Sequence, residues 1–183
     1  MATLPPDAGQ DSRVRHDLAR PLTAGCPPAL GEGIALTGSV ARGVADRFSD
    51  IELTFWVRDL PPIADFQAWL DAAGARAEPP EDEDFPPGSF WTKSWFEGVF
   101  VETIWQTWAA LDDALGEVLA ARTSDHWALT WAWHVAHAVP VRACPPWISG
   151  RRGSPTTPTR SRAASSVARR WPGLTRTGTP SRP

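Results

Sequence analysis

The sequence predicts an α/β (α+β) domain with a short mixed sheet flanked by helices, followed by a disordered C-terminal tail. Three observations support this: β-branched and aromatic runs of strand length, apolar stripes at helical spacing, and an abrupt change of composition near residue 145. The 183 residues suffice for one domain with a full core. We divide the chain into a disordered N terminus (1–12), a folded domain with C-terminal helices (13–144) and a tail (145–183).

The predicted elements are a mixture of helices and strands, as expected for a small layered domain. In chain order they are a helix at 14–25, strands at 34–37 and 50–57, a helix at 63–73, a hairpin of strands 89–96 and 99–105, and helices at 111–122 and 125–138. Glu97-Gly98 lies between the two hairpin strands and is typical of a tight turn. The helix at 63–73 ends at Gly74, a common helix stop.

The charge distribution separates the tail from the rest of the chain. All 21 acidic residues precede residue 145, whereas eight of the 18 basic residues follow it. The tail is rich in Arg, Pro, Ser, Thr, Gly and Ala, so it cannot bury a core and is predicted to be disordered. A basic tail can contact nucleic acid, but this one lacks the interleaved aromatic residues of single-strand binders, and we expect no nucleic-acid partner. GC-rich DNA translated in a wrong frame gives the same composition, which makes a frameshift our preferred hypothesis.

The sequence predicts a cytoplasmic protein with no membrane partner. The N-terminal residues lack the apolar core of a signal peptide. The longest apolar stretch, about 127–141, is too short to span a bilayer and contains His134 and His137. Cys26 and Cys144 have neither metal-site nor redox spacing, so both are expected to be reduced, partly buried thiols.

Chemistry is concentrated in the segment GSVARGVADRFSDIEL, residues 38–53. Gly38-Ser39 follows a predicted strand and permits a tight turn whose amide hydrogens can bind an anion if a helix begins there. Asp50 and Glu52 are two residues apart on the next strand, so they share one face. Two adjacent carboxylates repel unless a cation lies between them, and Mg²⁺ favours carboxylates together with phosphate oxygens. Alternatively, these residues form a solvated strand face beside a glycine turn.

The combined pattern Gly-Ser, Arg-Gly and Ser-Asp-x-(Asp/Glu)-Leu resembles the signature of the nucleotidyltransferase superfamily. It is most similar to the small bacterial members, which include the minimal and the antibiotic-modifying enzymes. The residues that match are Gly38, Ser39, Arg42, Gly43, Ser49, Asp50, Glu52 and Leu53. The signature covers 16 residues, and a compatible order of strands extends to about residue 140.

The resemblance implies a fold, a reaction and a set of site residues. It implies transfer of a nucleoside monophosphate from a nucleoside triphosphate to a hydroxyl of a small molecule or a protein, with two Mg²⁺ ions. The triphosphate would be held by Gly38, Ser39, Arg42 and Ser49. The metals would be held by Asp50, Glu52 and a third carboxylate on a later strand, for which Glu102 is the candidate.

The assignment of Glu102 stays open at the level of sequence. Glu102 is either the third carboxylate or a surface residue of an edge strand, while Glu97 at the turn is expected to be solvated. His134 and His137 are predicted to be packed or surface histidines, because no third ligand lies near them in the sequence.

The function itself also has alternatives. The family most often has Asp where this chain has Glu52, which favours a non-catalytic nucleotidyltransferase-fold protein that binds a nucleotide or a partner. The composition of the tail, in turn, suggests a damaged or misread gene product.

Overall fold

The computed structural model describes residues 3–78 and 85–142. The acidic loop, Cys144 and the whole predicted tail therefore lie outside the described residues. None of the helices in the described part has the length and apolar content that spanning a bilayer requires. The predicted α+β class is confirmed, because five helices accompany a six-stranded mixed sheet.

The described α-helices and strands agree closely with those predicted, and three short ones are additional, together with a 3₁₀ helix at Pro28–Leu30. In chain order they are α1 (Gln10–Ala24), β1 (Gly33–Leu36), α2 (Gly38–Ala41), β2 (Ile51–Val57), α3 (Ile63–Ala72), β3 (Arg76–Ala77), β4 (Ser89–Phe96), β5 (Val99–Thr107), α4 (Trp108–Leu119), α5 (His126–His137) and β6 (Val139–Pro140). The additions are α2, β3 and β6, each of four residues or fewer, too short to show a periodicity in sequence.

The strands lie in the order β3-β4-β5-β2-β1-β6. Strands β2 and β5 are parallel, and the other neighbours in this sheet are antiparallel. A parallel pair needs a long connection, which α3, β3 and β4 provide. The β4–β5 hairpin turns at Glu97 and Gly98, both with positive φ (50° and 76°), as a two-residue hairpin turn requires. Strand β5 is thus an interior strand.

Each face of the sheet is covered by a pair of helices. Helices α1 and α3 pack against the face formed by Ile51, Leu53 and Phe55 of β2. Phe55 stacks on Trp105 of β5 with ring centroids 4.1 Å apart. Helices α4 and α5 pack against the other face through a cluster that includes Trp56. The carboxylates of Glu52 and Glu102 belong to this second face, because side chains alternate along a strand.

The predicted disorder of residues 1–12 is wrong for the described residues of this segment. Helix α1 begins at Gln10, Ala8 is buried, and Leu4 packs against the core. The amide of Gly9 donates to the carbonyl of Gly43, and the hydroxyl of Ser12 accepts from the amide of Ala45. Hydrogen bonds to the 43–45 loop, as well as apolar packing, hold this segment in place. The segment is therefore ordered although its sequence is polar.

Arg142, the last described residue, joins both ends of the described domain. Its guanidinium donates to the carbonyl oxygens of Thr23, Cys26, Pro27 and Gly31, which lie in the last turn of α1 and in the segment that follows it. Arg142 thus adds side-chain donors at a helix C terminus, where backbone carbonyls lack intrahelical partners. Burial raises the pKa of the Cys26 thiol to about 11, against the opposing effect of Arg142, so Cys26 is a protonated thiol at neutral pH.

The contact between α1 and the loop that precedes β2 yields a stability prediction. Ser12→Ala leaves the amide of Ala45 without its acceptor in a buried position, which should lower the free energy of unfolding by about 1–3 kcal/mol. Urea denaturation would measure the loss, with exposed Ser124→Ala as the control. A loss no larger than that of the control would show that α1 does not hold this loop.

Candidate functional site

Glu52 and Glu102 are direct neighbours across two parallel strands. The register of β2 and β5 pairs Glu52 with Glu102, so both side chains project from the same face of the sheet. Asp50 comes just before the first residue of β2, and its charge acts on Glu52. The register therefore brings the predicted third carboxylate beside Glu52. The edge-strand alternative for Glu102 is wrong, because β5 lies between β4 and β2.

A basic residue continues this row of acidic side chains. The β4–β5 register places Lys93 opposite Glu102, giving the order Glu52, Glu102, Lys93 across three adjacent strands. Lys93 is the single lysine of the chain. Opposite charges at directly paired positions stabilise a sheet, so Lys93 offsets part of the repulsion between the two glutamates.

Gly38 gives the Glu52 side chain the space that it occupies. Gly38 has a φ of +61°, and a Cβ atom at this position would lie 1.9 Å from Oε1 of Glu52. The backbone amide of Ser39 donates a hydrogen bond to the Glu52 carboxylate. The tight turn that the sequence assigned to a triphosphate is thus used, in this structure, by a carboxylate of the chain itself.

The surroundings of Glu52 disfavour its charge. Burial raises the pKa of the Glu52 carboxyl, and the neighbouring Asp50 raises it further. The guanidinium of Arg42 and the amide of Ser39 act in the opposite direction but do not cancel these effects. Two carboxylates crowded in this way favour the arrival of a proton or of a cation.

His134 of α5 is a site residue that the sequence did not reveal. Its side chain is 8% exposed, and its Nε2 atom lies 3.8 Å from Oε2 of Glu52. Burial, with a smaller contribution from His137, lowers the pKa of His134 to about 4, so the imidazole is neutral at neutral pH. His134 and Glu52 are therefore in contact but do not form an ion pair at neutral pH. The prediction that His134 is packed is confirmed, but its position beside a carboxylate was not foreseen.

Arg42 lies at the edge of the site and is exposed. Its Nε atom donates to the carbonyl of Gly38 over 3.1 Å. The guanidinium carbon lies 5.9 Å from the centre of the Trp133 ring, which packs against His137 with centroids 3.9 Å apart. The side chain is thus oriented by one hydrogen bond and one aromatic face, with further donors directed to solvent.

Ser49 has a structural function in this arrangement. Its hydroxyl donates to Oδ1 of Asp46 over 2.9 Å and accepts from the Asp46 amide. Its carbonyl accepts from Nε of Arg15 in α1 over 2.6 Å. The hydroxyl and the amide of Phe48 lower the pKa of Asp46, an exposed residue. Ser49 thus closes the turn that precedes Asp50, and its hydroxyl is bonded to Asp46.

The residue types fit a metal, although the present side-chain arrangement does not form a complete set of ligands. Asp50, Glu52 and Glu102 offer the carboxylate oxygens that Mg²⁺ prefers. The crowding that raises the pKa of Glu52 is what a bound cation would relieve. Within residues 3–78 and 85–142, however, no three acidic, histidine or cysteine side chains are close enough together to hold an ion. Metal binding thus requires these carboxylates to turn toward one another.

No family model matches the chain, and no curated protein is detectably similar to it. The proposed function therefore depends on the residues of the site.

The close contact between Gly38 and Glu52 can be tested against a glycine of similar conformation. Gly38→Ala should reduce the free energy of unfolding by about 1–3 kcal/mol more than Gly74→Ala, because the new methyl group collides with the Glu52 carboxylate. Gly74 also has a positive φ (+77°) but has open space around its Cα, so it isolates the backbone cost. Denaturant titration measures both losses. Adding Glu52→Ala to Gly38→Ala should remove the excess, and equal losses in the two single variants would contradict the contact.

The lowered pKa of His134 predicts a pH-dependent stability. The unfolded chain binds a proton at this residue below about pH 6.5 and the folded chain only below about pH 4. The stability contributed by neutral His134 is therefore present above pH 6.5 and is lost, by about 3 kcal/mol, as the pH falls to 4. Glu52 has the opposite sign, because its raised pKa favours the folded state at low pH.

The measurement is the difference in unfolding free energy between the parent and His134→Gln from pH 7 to pH 4, with a chelator present. The effect of Glu52 is common to both proteins and largely cancels. Exposed His126→Gln in the same helix is the control and should keep the pH dependence of the parent. A parent and a His134→Gln variant with parallel curves would contradict the buried neutral imidazole.

Proposed function

We propose that the chain is a Mg²⁺-dependent nucleotidyltransferase that transfers a nucleoside monophosphate from a nucleoside triphosphate to a hydroxyl acceptor. The observation that carries the proposal is the register of the parallel strands β2 and β5, which sets Glu102 beside Glu52. The resemblance of residues 38–53 implies three carboxylates at one site, and this register supports Glu102 as the third. The mixed sheet with helices on both faces is compatible with a nucleotidyltransferase fold.

Each residue has a function in this proposal that follows from its surroundings. Asp50 and Glu52 would hold the metal together with the triphosphate, and the exposed donors of Arg42 would contact its phosphates. Glu102, which pairs with Glu52 from the neighbouring strand β5, would face the acceptor hydroxyl. Bound Mg²⁺ would neutralise charge on the leaving pyrophosphate and lower the pKa of the acceptor.

Nucleotide binding would change the position of one side chain. The amide of Ser39 donates to Glu52, and a triphosphate oxygen needs that same amide. We therefore expect the Glu52 carboxylate to leave the turn and join the metal when the nucleotide arrives. The turn would then receive a phosphate in place of a carboxylate, so the hydrogen-bond donor stays satisfied in both states.

A non-catalytic nucleotide-binding protein is the second candidate, and two contacts favour it. Glu52 has one methylene more than Asp, and this longer side chain reaches the Ser39 amide. Glu102 lies in register with Lys93, a partner that suits a structural carboxylate. In this candidate the nucleotide binds through Asp50 and Arg42, and no group activates an acceptor.

Ligand-dependent stability tests the proposal. Mg²⁺ and a nucleoside triphosphate together should raise the melting temperature, and at about 100 times the dissociation constant the folded state should gain about 2.7 kcal/mol. Thermal unfolding with each ligand alone and with both gives the measurement. Asp50→Asn should abolish the shift, whereas exposed Asp113→Asn in α4 should keep it. No shift with millimolar amounts of both ligands would refute nucleotide binding.

Glu102→Gln separates the two candidate functions. For the enzyme, the variant should keep most of the thermal shift but lose pyrophosphate release, measured with a panel of hydroxyl compounds as acceptors. For the non-catalytic protein, the parent itself releases no pyrophosphate with any acceptor although it binds the nucleotide.

A further inference from the structure

His134 is directed toward Glu52 from a helix that packs on the sheet through apolar residues. Helix α5 packs on the sheet through Trp131, Ala132 and Val135, which are buried in the same cluster as Trp56. His134 lies between these residues and is more than nine-tenths buried, with its Nε2 atom facing Oε2 of Glu52. A polar ring in this position costs free energy unless it has a partner.

None of the described residues forms a hydrogen bond with the His134 ring. The Nδ1 atom of His134 is buried and has no hydrogen-bond partner among them. The distance of 3.8 Å from Nε2 to Glu52 exceeds the 2.7–3.2 Å of a hydrogen bond between nitrogen and oxygen. Two atoms that bind the same cation at about 2.1 Å each lie roughly 3–4 Å apart, so this separation fits a pair of ligands to one ion.

We propose that His134 supplies a nitrogen ligand to the cation held by Glu52, so that the site binds a divalent transition metal such as Mn²⁺ more tightly than it binds Mg²⁺. Imidazole is a ligand of first-row transition metals, whereas Mg²⁺ favours oxygen ligands in octahedral geometry. The inference rests on the proposed function, because it assigns Glu52 to a metal. It adds the class of metal and a ligand that lies outside the 38–53 motif.

Pulsed electron paramagnetic resonance of bound Mn²⁺ tests the nitrogen directly. The full chain is mixed with Mn²⁺ and inorganic tripolyphosphate, which contains no nitrogen, and the coupling of the metal to ¹⁴N is recorded. The chain has four histidines, so the source of a coupling can be traced. We expect a histidine nitrogen coupling in the parent that becomes a ¹⁵N coupling when histidine is isotopically labelled, a result that needs no substitution.

Variants assign the nitrogen to one residue. His134→Gln should remove the coupling and weaken Mn²⁺ binding by about tenfold or more, while reducing its preference for Mn²⁺ over Mg²⁺. His137→Gln, three residues along the same helix and in contact with Trp133, should keep both. Circular dichroism of each variant checks its fold, and the labelled parent decides the outcome if His134→Gln does not fold.

The possible failures are distinguishable. Mn²⁺ that binds with tripolyphosphate but shows no nitrogen coupling would overturn the histidine ligand and leave the carboxylate site intact. A coupling that persists in His134→Gln and is lost in His137→Gln would also overturn it. A full chain that binds neither Mn²⁺ nor Mg²⁺ with tripolyphosphate would overturn both this inference and the proposed function.

Discussion

The parallel, in-register pairing of β2 and β5 is the constraint on which the site depends. It places two glutamates side by side in the middle of a sheet, where their charges repel and water is limited. The neighbouring groups can be understood as responses to this arrangement. Ser39 donates its amide to one glutamate, Arg42 opposes its charge, and Lys93 lies opposite the other glutamate. A shift of one residue between the strands would send one carboxylate to the opposite face and dismantle the site.

Much of the fold and part of the site followed from local patterns in the sequence. The strand at 50–57 was evident from its β-branched and aromatic residues, and the turn at Glu97-Gly98 fixed the register of the hairpin. That same turn determines that Lys93 lies opposite Glu102, so the lysine could have been deduced from the sequence. Glu102 was identified as the third carboxylate through the family resemblance, and its place beside Glu52 agrees with that choice.

The remaining features depend on contacts between residues far apart in the chain. No spacing rule places His134 beside Glu52, because the docking of α5 is decided by the apolar residues around it. The order at the N terminus depends on Ser12. This polar residue is fully buried, and its hydroxyl accepts a hydrogen bond from the amide of Ala45. Gly38 was identified correctly as a special position, but its open space is filled by a side chain of the same protein. Ser49 likewise matches a motif while its hydroxyl is bound to Asp46.

The four carbonyls bound by Arg142 have a consequence for the order in which the chain matures during synthesis. They lie in the last turn of α1 and just after it, so they are synthesised well before their donor, the last described residue. Strand β6, which pairs with β1, also arrives late. The end of α1 and one edge of the sheet thus stay incomplete until more than a hundred further residues have been made. A nascent chain that stalls earlier exposes that edge, which is where aggregation of sheets begins.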